Sequence, residues 1–574
     1  MTGASAGNRL WEAACVPAEW AFHRALADPT GTQERLLRAH LRANADTDIG
    51  RRVGFSRVRS TADFRDRVPL HMWDDLAADA ARIARGAPRV WTAGRVTRLE
   101  PTSGTSGGTK LVPYTGAMRR QVRAAVGAWM ADLFRAYPDL RGGPAYWSVS
   151  PAVPLPAAHA GGPPVGFDSD GGYLSPLHAR LARAVMAAPD GLRHVLDPEA
   201  HRYATLRALV ARADLRLVSV WNPTALALLL APLRVWADRL AHDLRRGTLT
   251  APLPPGLHAR LARGLRPDPR RADALLAAVR DEPDDGALHA RLWPRLGLVS
   301  AWADGHAGAP FEALRALVPH ARFQAKGLLA TEGVVSIPRV GHGGGALALT
   351  SHVVELLDGD RSVSLDRADV GGCFDVALTT GGGLLRYRLG DRVRVVGHAG
   401  RCPLVRFVER AGPVSDRVGE KLHEAHVAAC VARLGLDAAF SFVACDTTAG
   451  DTAACDTAAG DGAAHRARPP AYVLFAETRE TDVRLAAAAR ALDAALSENV
   501  HYSHARRLGQ LGPLRAFRVR RGGAEAFVAG CVALGQRAGS VKPAALHRDG
   551  GWAERLDGAF VDAALARDAG ERRL

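Results

Sequence analysis

The sequence predicts an α/β architecture: a large N-terminal α/β domain with a β-rich subregion, then a smaller, mobile α+β C-terminal domain. Three observations predict it. Between about residue 100 and residue 410, valine-rich apolar runs alternate with alanine- and leucine-rich helical patterns, as in Leu215–Val220 followed by Ala225–Leu240. Residues 344–410 change to short alternating strands with tight turns, as in 384–396. A Gly-Pro break at 411–415 then opens a second run of helix and strand patterns, and 574 residues exceed what one core organises.

Taken in order, residues 1–100 read as amphipathic helices, ending in the segment Phe64–Leu76 and an extended stretch to Glu100. Val112–Thr115 is a short extended stretch and Met118–Tyr137 a long amphipathic helix. The uncharged segment 142–167 is rich in proline and glycine and is expected to be a loop. The most apolar run, Leu217–Leu233, is broken by Asn222-Pro223 and Pro232, so it reads as strand, turn and helix and not as a membrane span. The domains are therefore placed at 1–410 and 417–574, with 411–416 as hinge. In the second domain a helix is expected from Leu422, strands at Phe440–Ala444 and Tyr472–Glu477, and a helix over Thr481–Asn499. The insert at 445–470 nearly repeats itself (CDTTAGDTAA, then CDTAAGDGAA), has almost no large apolar residue, and is expected to be disordered.

Three segments carry chemistry. The first is Thr102–Lys110, TSGTSGGTK. Its glycines permit positive φ and bare backbone N–H groups, its hydroxyls add donors, and Lys110 closes it with a compact charge, which together make a cradle for phosphate oxygens. It is not a Walker A loop, because Thr109 precedes the lysine where glycine is required and Leu111 follows it in place of Ser or Thr. A flexible Gly/Ser linker is the competing reading, but linkers seldom end in lysine and lead at once into an apolar strand. The second segment, LLATEGVVSIP (328–338), places Thr331-Glu332 after an apolar stretch. That carboxylate suits Mg²⁺, which takes few carboxylates beside phosphate oxygens, although Thr-Glu also fits a helix start capped by threonine. The third, LRYRLGDRVRVV (385–396), sets Gly390-Asp391 between two alternating runs, either as a hairpin turn or as a carboxylate for ribose hydroxyls.

Lysine scarcity adds a fourth signal. Of 75 Lys+Arg only Lys110, Lys326, Lys421 and Lys542 are lysines, so positions that need a small ammonium are enriched among them. The net charge of +16 is spread along the chain and interleaved with acids, which disfavours nucleic acid as a partner and suits a general attraction for anions such as ATP. Seven cysteines, an odd number without a C-x-x-C pair, argue against a disulfide framework and a structural zinc site, and the N-terminus lacks a signal-peptide layout; a cytoplasmic setting is expected.

In order and spacing, the three segments resemble those of the adenylate-forming superfamily. More specifically, they are similar to the bacterial form of the Gretchen Hagen 3 auxin-responsive family of acyl-acid amido synthetases. The likeness continues through Asn44–Thr47, Phe64–Leu70 (FRDRVPL), Trp221–Thr224 (WNPT), Leu292–Gly305, Phe323–Pro338, Tyr387–Gly397, Val418–Leu422 (VGEKL) and Leu492–Leu514. It spans nearly the whole chain outside the insert.

The resemblance implies an enzyme that uses ATP and Mg²⁺ to adenylate a carboxylic acid and then passes the acyl group to an amino acid or other amine. Delivery to coenzyme A or a carrier-protein thiol is the alternative. By position, Ser103, Gly104, Thr105, Ser106, Gly107 and Lys110 match the phosphate loop. Thr331 and Glu332 match the second motif, with Glu332 on the Mg²⁺ or α-phosphate side. Asp391 matches the ribose-binding aspartate, and Lys542 the catalytic lysine carried by the small domain, unless it is a plain surface lysine. A monomer is expected, acting on small carboxylic acids and amines, with no membrane and no nucleic acid involved. Two features depart from the family: Leu328 and Leu329 stand where an aromatic residue usually precedes the second motif, and the acyl pocket is not legible. Arg119, Arg120 and Arg123 suit a substrate carboxylate or a solvated helix face equally.

Overall fold

The structure is a computed structural model. It describes residues 3–102, 110–148, 159, 161–166, 181, 184–189, 191–410, 414–415, 417–418, 420, 422–446, 469–507, 510–534, 536, 538 and 541–562. Two compact units emerge, Met1–Arg410 and Ala411–Leu574.

The first unit opens with helices α1 (Gly3–Ala27), α2 (Pro29–Ala43), α3 (Asp48–Val53), α4 (Thr61–Arg67) and α5 (Trp73–Ala84). The expected segment 64–76 is thus two helices parted by an extended link, because Ser60 and Asp63 close a capping box at α4 and Val68 ends it. Strands β1 (Val96–Thr102) and β2 (Lys110–Thr115) pair antiparallel, with Thr102 opposite Lys110. Helix α6 (Gly116–Ala136) follows, its first turn capped by the Thr115 hydroxyl, which accepts from the Met118 N–H at 3.2 Å.

Next comes a parallel four-stranded sheet of β3 (Ala145–Trp147), β4 (Leu217–Ser219), β5 (Leu298–Ala301) and β6 (Arg322–Ala325) in that order, with helical connections that build a separate apolar core. The single helix expected over 225–240 is two helices, Pro223–Leu230 and Ala237–Arg246, separated by turns that contain Pro232. A two-stranded hairpin, β7 (Leu329–Ala330) and β8 (Gly333–Val334), leads to the β-rich part. Its strands are β9 (Ser336–Pro338), β10 (Gly345–Leu347), β11 (Val353–Asp358), β12 (Arg361–Val363), β13 (Cys373–Thr379), β14 (Tyr387–Ala399) and β15 (Cys402–Arg410). They form one sheet, all pairs antiparallel, in the order β12-β11-β13-β14-β15-β10-β9.

In the second unit a short pair, β16 (Val414–Ser415) with β17 (Leu422–His423), precedes the helix Glu424–Arg433. The helix expected from Leu422 therefore starts two residues later. A mixed five-stranded sheet then contains β18 (Ala438–Asp446), β19 (Ala471–Thr478), β20 (Arg515–Val519), β21 (Leu546–His547) and β22 (Gly558–Phe560), in the order β21-β18-β19-β20-β22. Because strand side chains alternate, Tyr472, Leu474 and Ala476 enter one apolar core while Val473 and Phe475 enter another on the opposite face. The helix expected at 481–499 is Asp482–Leu496, with Thr481 as its cap. Of the insert predicted to be disordered, residues 447–468 lie outside the described residues, while Cys445 and Asp446 complete β18. Among the described residues no helix is long and apolar enough to cross a membrane.

Candidate active site

Lys110 is the first residue of β2, half-buried, and its ammonium lies 6.0 Å over the Trp73 ring. The rest of the glycine-hydroxyl segment, including Ser103, Gly104, Thr105, Ser106 and Gly107, lies outside the described residues. The pairing of Thr102 with Lys110 nevertheless fixes both ends of that segment on neighbouring strands.

Trp73 in turn meets Tyr387 edge-on, with ring centroids 6.5 Å apart. Tyr387 begins β14, and four residues further on the same strand stands Asp391, 4% exposed. The sequence allowed Gly390-Asp391 to be a hairpin turn. It is instead a bulge inside one continuous strand: Asp375 pairs with Arg392 and Ala377 with Arg388, so extra residues of β14 face β13. Gly390 takes the positive φ of 77° that this bulge needs.

Thr331 and Glu332 form the two-residue tip of the β7–β8 hairpin, where Ala330 pairs with Gly333. The helix-start alternative is therefore wrong; both readings favour the same residue types, and chain pairing decides between them. Glu332 is 4% exposed. Gly333 leaves little room at this point, since a Cβ there would stand 2.9 Å from Leu378 Cδ1 and 3.0 Å from His352. Leu378 is the cross-strand partner of Tyr387. Lys110 (through Trp73), Asp391 (through β14) and Glu332 (through Gly333) thus converge on the β13–β14 pair.

Side-chain bonds lock this convergence. The Thr115 hydroxyl donates to Gly381 O at 2.7 Å, and the Gln121 Oε1 accepts from the Gly381 N–H at 2.6 Å and lies 3.0 Å from His352 Nδ1. Burial without any charged neighbour pushes the His352 imidazole down to about 3, so it is neutral here. Arg386, at a φ of 42°, donates to Glu355 at 3.1 Å and to Val68 O at 2.7 Å, tying α4 to the strand that begins at Tyr387. Of the two leucines before the second motif, Leu328 is spent in the core and Leu329 is half-buried. Arg120 is exposed, and Arg119 and Arg123 are half-buried.

Lys542 belongs to the second unit. It is exposed on an extended segment anchored by the buried Val541 before it and by β21 after it, where the Ala545 N–H donates to Glu424 Oε1 at 3.0 Å. In the same unit the Tyr472 hydroxyl lies 2.5 Å from both Ser415 Oγ and Glu420 Oε1, which fixes the segment after the break. Lys421 lies outside the described residues.

A second polar group sits at the carboxyl ends of the parallel strands, the usual ligand position in such sheets. Trp147, Ser219, Ser300 and Gln324 pair in register across β3–β6 and so share one face. The Trp129 Nε1–H of α6 donates to Gln324 Oε1 at 2.9 Å, which identifies that face as the one α6 covers. Lys326, directly after β6, donates from Nζ to Ser219 Oγ at 2.7 Å. Its ammonium lies 4.7, 4.8 and 5.9 Å from the ring centroids of Trp221, Trp129 and Trp147. Lysine scarcity flagged Lys326 without giving it a role; Trp221 entered only through the family-like WNPT segment, and Trp129 and Trp147 carried no sequence signal.

Comparison with known proteins agrees with this architecture. Residues 20–323 match the GH3 family N-terminal domain, 350–410 the GH3 family central domain and 457–550 the GH3 family C-terminal domain. The probable indole-3-acetic acid-amido synthetase GH3.2 of Oryza sativa subsp. japonica is 26% identical over 449 residues, covering 70% of this chain and 69% of its own. Indole-3-acetic acid-amido synthetase GH3.4 of Arabidopsis thaliana is 22% identical, with 69% and 70% covered. Among solved structures, AtGH3.15 acyl acid amido synthetase in complex with 2,4-DB superimposes with a TM-score of 0.79 at 17% identity, covering 96% of both chains, which is likeness of fold. The chain belongs to the GH3 family and is an ATP-using, AMP-forming acyl acid amido synthetase.

Proposed function

We propose that the residues converging on β13–β14 hold ATP as substrate, and that the chain is a bacterial-type member adenylating a small carboxylic acid for transfer to an amine. The observation that carries this reading is the convergence itself: Trp73 beneath the Lys110 ammonium, Gly333 beside Glu332, and the strand that bears Asp391 all meet at one strand pair. In this reading residues 103–107 and Lys110 grip the phosphates, and Asp391 accepts the ribose hydroxyls. Glu332, with Thr331 beside it, is the residue that would hold Mg²⁺. One buried carboxylate suits a cation that keeps phosphate oxygens and water as its other ligands, and among the described residues no cluster of three or more His, Cys, Asp or Glu offers a cage instead. When bound, the ion supplies charge neutralisation on the phosphates.

The chemistry balances in two displacements. A carboxylate oxygen of the acid attacks the α-phosphorus, and the bond to the bridging oxygen breaks to release pyrophosphate. The amine nitrogen then attacks the acyl carbon, the carbon–oxygen bond to AMP breaks, and the amine loses a proton. Lys542 is assigned to the first step, where its charge meets the developing negative oxygens. In this reading the domains 1–410 and 417–574 are functional parts and 411–416 is the hinge. The pairing of Val414–Ser415 within the second unit supports a pivot before residue 414.

Identities of 22–27% to plant enzymes and the leucines in place of an aromatic residue support the bacterial branch. The six described cysteines, all unpaired, support a cytoplasmic setting. We take the active species as a monomer, which sedimentation checks. The test is acid-dependent exchange of pyrophosphate into ATP across a panel of acids, followed by mass detection of the product with amines and thiols. Exchange plus amide supports the reading; exchange with thioester alone, or none with any acid, rejects it.

A further inference from the structure

Lys326 is 5% exposed, and its ammonium has one hydrogen-bond partner among the described residues, Ser219 Oγ, although it carries three donors. Among the described residues no carboxylate faces it. Next to Ser219 in the cross-strand row, the Ser300 hydroxyl is fully buried and also lacks a partner, as does the Trp147 Nε1–H. Folded proteins seldom leave three polar groups in one recess short of partners, and a buried cation without an anion is the costliest of them. The recess also has an outer wall facing solvent: Trp221, which covers the ammonium, is 44% exposed. Flat apolar walls, buried donors and a solvent-facing ring together mark a polar floor that is short of an acceptor.

Resting on the reading that the first unit binds the carboxylic acid, we propose that this recess takes the acyl body and that Lys326, with Ser219 and Ser300, anchors an acidic oxygen at its distal end. The substrate class is a flat or slender acid bearing a second carboxylate or a phenolate away from the reacting carboxyl. The reacting end belongs elsewhere, because Lys110 lies on the Trp73 ring and shares no partner with Lys326. Trp129, Trp147 and Trp221 supply the faces for the body of the acid.

The test uses the full chain and matched acids: benzene-1,4-dicarboxylate against 4-methylbenzoate, hexanedioate against heptanoate, and 4-hydroxyphenylacetate against phenylacetate. Binding is read by tryptophan fluorescence and turnover by pyrophosphate exchange. Wild type should favour the distal-oxyanion member of at least one pair by ~10-fold or more, the carboxylate and phenolate pairs telling the two acceptors apart. Lys326→Met should bring that ratio to about one or below, because the introduced methyl rejects the second charge. A ratio unchanged in Lys326→Met, or an equal loss with both members of every pair, overturns the proposal; the second outcome would place Lys326 at the reacting carboxyl. The binding readout stands without turnover, so absence of exchange with every acid strikes the reaction and not the pocket.

Discussion

Replacing Lys326 by methionine should stabilise the protein and remove a titration near neutrality. Burial among three indoles, with no carboxylate in reach among the described residues, pushes the Lys326 ammonium from its ordinary 10.5 down to about 7. That lowering corresponds to roughly 5 kcal/mol of preference for the neutral amine in the folded chain, and relaxation of the pocket reduces the realised value to about 2–4 kcal/mol. The sign follows from proton counting. Between pH 7 and 10.5 the unfolded chain holds the proton and the folded chain does not, so the wild type gains stability as pH rises through that window. Lys326→Met has no such slope. Its advantage over wild type is therefore largest at or below pH 7 and shrinks by roughly 1–3 kcal/mol toward pH 9.5. Comparing the two proteins at each pH cancels every other titrating group. The direct assay is ¹³C NMR of ε-labelled lysine, which is simple here because the chain has four lysines, and the signal missing in Lys326→Met identifies the residue. A titration midpoint at or above 10, or a variant less stable than wild type at pH 7, refutes the reasoning.

Other expectations follow from the same geometry. Gly333→Ala forces a Cβ against Leu378 and His352 and should cost about 1–3 kcal/mol, with pyrophosphate exchange falling at least ~10-fold as the hairpin bearing Glu332 shifts. Arg386→Met leaves the Glu355 carboxylate, 4% exposed, with Arg65 as its remaining cation and should lower unfolding stability by about 3 kcal/mol or more. Burial holds His352 at about 3 and His40 at about 4, so the unfolded chain takes up protons first as pH falls below 6.5. Stability should drop by roughly 3–5 kcal/mol by pH 4.5, and His352→Gln should flatten that slope in a melting series. Lys542→Ala should reduce exchange by about 10²–10³ while ATP binding, measured by calorimetry, changes little; near-normal exchange would remove Lys542 from the reaction.

Much of the architecture was legible because periodicity survives at strand and helix ends. β19 lies within one residue of the expected strand at each end, its alternating residues filling two cores. The β-rich subregion was visible as a change to short strands with tight turns over 344–410, but strand direction was not. What local sequence could not resolve were cases where two structures demand the same residues. A glycine with positive φ serves a hairpin turn and a strand bulge alike, so Gly390 left the choice open until pairing with β13 settled it. Thr331-Glu332 suits a helix cap and a hairpin tip for similar reasons. Lys326 was conspicuous only by the rarity of its side chain. Its indole walls come from α6, β3 and the end of β4, whose adjacency is a property of sheet order and invisible to any short window.

Among the described residues the boundary at Arg410 and Ala411 severs no apolar cluster: two large cores lie wholly before it, and two smaller ones, on opposite faces of a single sheet, wholly after it. Each stretch of chain therefore carries a greasy interior of its own. Expressed apart and mixed, the two pieces would turn any step that draws on both into a second-order encounter, and dilution alone would then measure how much the natural tether contributes.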